Sequence, residues 1–194
     1  MSKFLKDTRD HHKAAQKLNR QVFNRLDELQ LKEFTECITE NVMKKPPNLK
    51  LILNEINNDF PKVKRYLEFI RNFNGNPEDI DRLLDISNSL HIKGAGLFFT
   101  TQVLAGAHLN EYVVFENNIY ETLQHLDIVD MGSKVATGSR YMVINAICKW
   151  LYEEKFKERM EESYKFGLQS VHNFLWHYYY HQIKGEGRWW KKDC

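Results

Sequence analysis

The stretch Leu90-His91-Ile92-Lys93-Gly94-Ala95-Gly96-Leu97-Phe98-Phe99-Thr100-Thr101-Gln102-Val103-Leu104 constrains the fold more than any other part of the chain. Apolar residues keep helical spacing on both sides of the glycine pair, so it reads as a helix ending, a tight turn and a second helix beginning. The helix that delivers the turn is predicted to start at Pro77-Glu78-Asp79 and to carry Ile80, Leu83, Leu84 and Ile86 inward. The helix that leaves it is predicted to run from Leu97 to Ala107. Gly94 and Gly96 allow backbone angles and approach distances closed to a side chain. The first amides of a helix have no partner inside it, and the helix dipole favours an anion in front of them. Lys93, Gly94, Ala95, Gly96, Leu97 and Phe98 are therefore the candidate phosphate-binding residues, with Lys93 supplying charge. A module of this kind holds a nucleic-acid backbone without reading bases. The alternative is a tight interhelical turn with no ligand.

Beyond the second helix the chain continues as Leu109-Asn110-Glu111-Tyr112-Val113-Val114-Phe115-Glu116-Asn117-Asn118-Ile119 and enters an amphipathic run from Tyr120 to Leu126. From Asp79 to Leu126 the pattern resembles the helix-hairpin-helix superfamily of base-excision DNA glycosylases, in which the hairpin leads through a short extended segment to a helix whose start carries a catalytic aspartate. Glu116 falls at that aspartate's place. Where bifunctional members carry a lysine after the second hairpin glycine this chain has Phe98, so no Schiff-base nucleophile is present there. The small residue usual on the second helix is Thr100, and the cysteines that hold an iron–sulfur cluster in some members are missing. The resemblance implies duplex DNA as the partner and a monovalent cation at the hairpin carbonyls, with no other cofactor. Similar domains occur in bacterial restriction and defence proteins, which implies a fused or separate NTPase or nuclease as a further partner.

Charge and cysteine content narrow the classes. The formal charge is +2, from 28 basic and 26 acidic residues, so a nucleic-acid surface has to be a local patch and not a global field. Cys37, Cys148 and Cys194 are odd in number and widely spaced, which suits a reducing compartment. The charged start of the chain does not read as a secretory signal, and no apolar run approaches bilayer length. A cytoplasmic protein with no membrane partner is expected.

Nearly every segment has helical period, giving an all-α fold class. Leu18, Val22, Leu26 and Leu29 form one stripe, and Phe34, Ile38 and Val42 continue it as a second helix or one long bent helix until Pro46-Pro47. Residues 1–47 read as an amino-terminal helical extension, 48–187 as the helical domain containing the hairpin, and 188–194 as a tail or linker. Asn48 to Ile56 fits a strand or a helix, with Leu49, Leu53 and Ile56 on a helical face. Pro61 suits the first turn of a helix through Tyr66, Phe69 and Ile70, and Asn74-Gly75-Asn76-Pro77 closes it. Met131 to Ser139 reads as a loop, Tyr141 to Lys155 as a helix with Ile144, Ile147, Cys148 and Leu151 inward, and Phe156 to Ile183 as an aromatic-rich helix ended by Lys184-Gly185-Glu186-Gly187.

Other groups invite chemistry and admit plainer readings. His177 and His181 have the helical spacing of metal ligands, but no glutamate lies between them and no third ligand accompanies them or His172, so no metal site is expected. The run Phe174 to Tyr180 suits base stacking or, preferably, a buried helix. Lys44, Lys45, Lys62, Lys64 and Arg65 add charge of the kind usual on solvated faces. Glu116 itself, followed by Asn117 and Asn118, is also what a helix start needs as cap or first-turn acid. A glutamate in place of aspartate shifts the carboxylate by about an ångström, enough to lower a rate roughly a hundredfold. The sequence thus reads first as a duplex-DNA-binding module, with a monofunctional glycosylase using Glu116 and a helical protein-interaction module as alternatives.

Overall fold

The computed structural model of the chain describes residues 3–41, 48–130, 137–159 and 166–185. Among them are nine α-helices and no strand: α1 (Lys3–Gln21), α2 (Leu31–Asn41), α3 (Leu49–Asn58), α4 (Phe60–Arg71), α5 (Pro77–Leu84), α6 (Leu97–Ala107), α7 (Asn117–His125), α8 (Gly138–Leu151) and α9 (Leu168–Tyr178). A 3-10 turn, Phe23–Arg25, separates α1 from α2, so the first stripe is two helices. The ambiguous segment after Asn48 is the helix α3, with Ile52 and Ile56 buried.

Side chains start several helices, and Pro61 stands in a first turn as the sequence suggests. Asp59 accepts from the Lys62 amide at 3.0 Å and Pro61 occupies the first turn of α4. Asn76 accepts from the Glu78 amide at 3.1 Å ahead of Pro77, and Thr137 accepts from the Arg140 amide at 3.2 Å to start α8. Each cap satisfies an amide the helix cannot.

The helix after the glycine turn, α6, is the centre of the fold. Leu97 and every residue from Phe99 to Gly106 are buried, and a helix apolar all round belongs inside a protein. It packs against α1, α4 and α5. Tyr66 of α4 donates to Thr100 at 3.2 Å, and Asn19 of α1 donates to the carbonyls of Gly106 and Ala107, both at 3.0 Å. α1 and α2, within the segment set apart as an amino-terminal extension, thus share one core with α6: Leu18, Val22, Phe34 and Ile38 join Val103, Leu104 and Val113 in it.

Four expectations change. The delivering helix α5 stops at Leu84, not at the turn, because Asp85 accepts from both the amide and the hydroxyl of Ser87, at 2.9 and 2.7 Å. Asn88 then accepts from the Leu90 amide at 2.9 Å; such local side-chain bonds compete with helix continuation. Ile86 consequently lies outside the helix and is exposed, where the spacing had it inward. Asn117 and Asn118 do not cap α7: Glu116 holds the N-cap position and makes no side-chain cap bond. The last aromatic helix starts only at Leu168, after Gly167 at φ 57°, and continues past Tyr178 as a π-helical turn to Ile183, as α8 does from Tyr152 to Phe156. Val42, Lys44, Lys45, Pro46 and Pro47, the start of the loop at Met131, and the tail from Arg188 to Cys194 lie outside the described residues.

Candidate functional site

The glycine turn is built from backbone and apolar anchors. The Ala95 amide donates to the Ile92 carbonyl at 2.8 Å, and Gly94 between them has φ 89°, the angle a type II turn requires at its third position. Ile92, Ala95 and Leu97 are buried and pin the turn to the core, whereas Lys93 and Gly96 are exposed and Phe98 is half-buried. A Cβ at Gly94 would sit 3.0 Å from the Leu51 Cβ and 3.2 Å from the Asn48 Cβ, so the turn rests on the start of α3.

Gly96 serves differently. It is the N-cap of α6 in ordinary extended backbone, φ −89° and ψ −174°, and among the described residues no side chain caps the helix and nothing lies within 4 Å of where a Cβ would lie. Its glycine identity is thus not required by strain or crowding. What it provides is an open helix N-terminus with one exposed lysine nearby, geometry that suits an anion.

Glu116 is positioned by a segment with no regular partner strand. Between α6 and α7 the extended chain from Glu111 to Phe115 is held by side chains. Asn145 accepts from the Val113 amide at 2.8 Å and donates to the Glu111 carbonyl at 3.1 Å; Tyr141 donates to the Val113 carbonyl at 2.9 Å. Thr101 of α6 accepts from the Phe115 amide at 2.9 Å. This last bond ties the residue before Glu116 to α6.

The Glu116 carboxylate does not face open solvent. Its Oε1 lies 3.5 Å from Nε2 of His172 on α9, and the two side chains are 13% and 2% exposed. Among the described residues neither ring nitrogen of His172 makes a hydrogen bond, nor does Nδ2 of Asn173. From α1, His11 shares a hydrogen bond of 2.9 Å with the Asn173 side-chain oxygen, and Asp7 lies 3.5 Å from Nε2 of His177. Burial, then the neighbouring His172, depress the His11 pKa, partly offset by the Asn173 hydrogen bond and by Asp7 and Glu116. Asp7, His11, Glu116, His172 and His177 therefore form one polar cluster between α1, α7 and α9. The partners of the histidines come from far along the chain, and the only local signal was the spacing of Asp7 and His11 on one helix face.

The remaining candidates find structural roles. Lys62 pairs with Glu55 at 2.6 Å and Lys64 donates to the Asp27 carbonyl at 3.0 Å, while Arg65 is exposed. In the aromatic run Leu175 and Tyr179 are buried and Trp176 packs on Tyr180 at 4.5 Å, with Phe174 exposed. His177 and His181 stack on each other at 6.1 Å, and among the described residues no group of three or more His, Cys, Asp or Glu is placed to hold a metal ion. A cleft of about 370 Å³ lined by Asn110, Lys149, Tyr152, Glu153, Gly167 and Leu168 contains none of the candidate residues. No described helix is long and apolar enough to cross a membrane. Comparison with protein-family models, with curated proteins and with solved structures gives no match to this chain.

Proposed function

We propose that the chain is a helix-hairpin-helix module that binds duplex DNA through its phosphates, with the amides at the start of α6 as the seat and Lys93 as the adjacent charge. The observation that carries this reading is the open N-terminus of α6, entered through a rigid glycine turn and capped by no side chain. Contacts from backbone amides fix the position of a duplex and carry no sequence information. The resemblance extends the reading to a recognition or anchoring role in a restriction or defence assembly, with an NTPase or nuclease as partner. It also includes a monovalent cation at the turn. The Ile92 and Gly96 carbonyls already accept from Ala95 and Thr100, so such an ion would use their second lone pairs or the carbonyls of Lys93, Gly94 and Ala95.

Glycosylase chemistry has weaker support, since the carboxylate it needs is 13% exposed and lies against His172. Gly96→Asp tests the binding reading. An N-cap aspartate fits the open space, occupies the free amides and stabilises a helix by a few tenths of a kcal/mol relative to glycine. The variant is expected to melt no lower than the parent while binding duplex DNA at least roughly tenfold more weakly, because a charge-assisted hydrogen bond contributes about 1.5–3 kcal/mol. Unchanged DNA affinity in a folded Gly96→Asp protein would reduce the hairpin to a structural turn.

A further inference from the structure

The two halves of α1 are held by different physics. From Ala15 onward it presents Ala15 and Leu18 to the core, and Val22 just past its end joins them, so this half is held by buried apolar surface. Earlier in the helix the contacts described are polar and aromatic, with the His12 ring 5.2 Å from that of Phe166 and the His11 ring 6.2 Å from that of His172. Thr8 is fully buried but its hydroxyl turns back to the Phe4 carbonyl at 2.8 Å. Asp7, with its side chain 30% exposed, faces His177 at 3.5 Å, His11 meets Asn173, and half-buried Phe4 lies edge-on to His177. Part-exposed ion pairs at such distances contribute little. Beneath them, Nδ1 of His172 and Nδ2 of Asn173 are buried and make no hydrogen bond among the described residues, a cost that a state returning them to water relieves.

We propose that residues 3–14 of α1 form a displaceable cover that opens independently of the core and exposes the Glu116–His172 pair. The hinge lies where the polar and aromatic contacts give way to Ala15 and Leu18. Because Thr101 of α6 holds the Phe115 amide and Thr122 of α7 donates to the Leu175 carbonyl of α9, opening leaves the carboxylate and imidazole in place while access to them changes. The cover therefore controls which ligands reach Glu116, whether or not the hairpin binds DNA.

Two measurements on the full chain test this. Amide hydrogen exchange, resolved by peptide, should show residues 3–14 exchanging more than about tenfold faster than 15–21 of the same helix, as a local opening requires. Carbethoxylation of histidines, mapped by mass spectrometry with exposed His125 as reference, should label His172 at a rate nearly independent of low urea. Asp7→Ala should speed both readouts severalfold and leave His125 labelling unchanged. The cover is refuted if both halves of α1 exchange together, or if His172 is labelled only as fast as the whole protein unfolds. Fraying of the first turn with His172 still protected refutes it equally.

Discussion

Gly94 and Gly96 serve one turn by different means, and substitution separates them. At Gly94 the positive φ makes any L side chain strained, by about 1–2 kcal/mol, so loss of binding there cannot be told from loss of the turn. At Gly96 the backbone is ordinary and the space open, so the effect of a side chain on binding is readable. The turn around Gly94 was legible in sequence because a turn is a local object. The surroundings of Glu116 were not, because His172 and His11 reach it from the two ends of the chain. Two predictions belong to these residues. His11 has a folded-state pKa below its ordinary 6.5, set first by burial, so the unfolded chain takes up the proton first as pH falls. Its contribution to stability is present above pH about 6.5 and is lost as pH drops from there toward the folded value. Melting curves between pH 7.5 and 5 should show a shallower decline for His11→Gln than for the parent; an equal or steeper decline would contradict the assignment. Glu116→Gln should leave DNA affinity unchanged or slightly higher, and neither it nor the parent should release free base from duplexes carrying deaminated, oxidised or alkylated bases. Single-turnover release that depends on Glu116 would make the protein a glycosylase.

At the scale of elements, helix periodicity located the helices well and their ends poorly. α5 ends where Asp85 and Asn88 satisfy nearby amides, and those residues read equally well as the solvated face of a longer helix. The extended segment before α7 was visible as a break in period, but not what holds it. Asn145 does so from α8, supplying both an acceptor and a donor to the backbone in place of a neighbouring strand. Asn145→Ala would leave the buried Val113 amide without its acceptor and remove the donor to the Glu111 carbonyl, and chemical denaturation should show a loss of about 1–3 kcal/mol. A loss under half a kilocalorie would mean the segment finds other partners. The start of α8 is equally exacting: the Gly138 amide donates to Asp81 at 2.7 Å, and a Cβ there would run into the Pro77 carbonyl of α5. Gly138→Ala should lower stability by roughly 1–3 kcal/mol through overpacking. Retention of parental stability would show that α5 and α8 can separate.

At the scale of the whole molecule, one core runs from Leu18 to Leu175, and the segments that sequence divided at Pro47 both line it. The fold class was legible because apolar residues repeat at helical spacing almost throughout; the joining of α1 to α6 was not, since helix periodicity says which face is buried but not against what. The near balance of charge sets the form the DNA reading has to take. With a net charge of only +2, binding cannot come from a diffuse field and must come from a few phosphates at the hairpin. A salt titration of duplex affinity counts them. At roughly 0.9 per neutralised phosphate, a footprint of two to four phosphates gives a log–log slope of about −2 to −4, nearly the same for duplexes of unrelated sequence. That slope, flattened in Gly96→Asp, is the result expected for a phosphate seat at α6. No association at low salt with any duplex, or binding whose salt slope Gly96→Asp leaves unchanged, would contradict it.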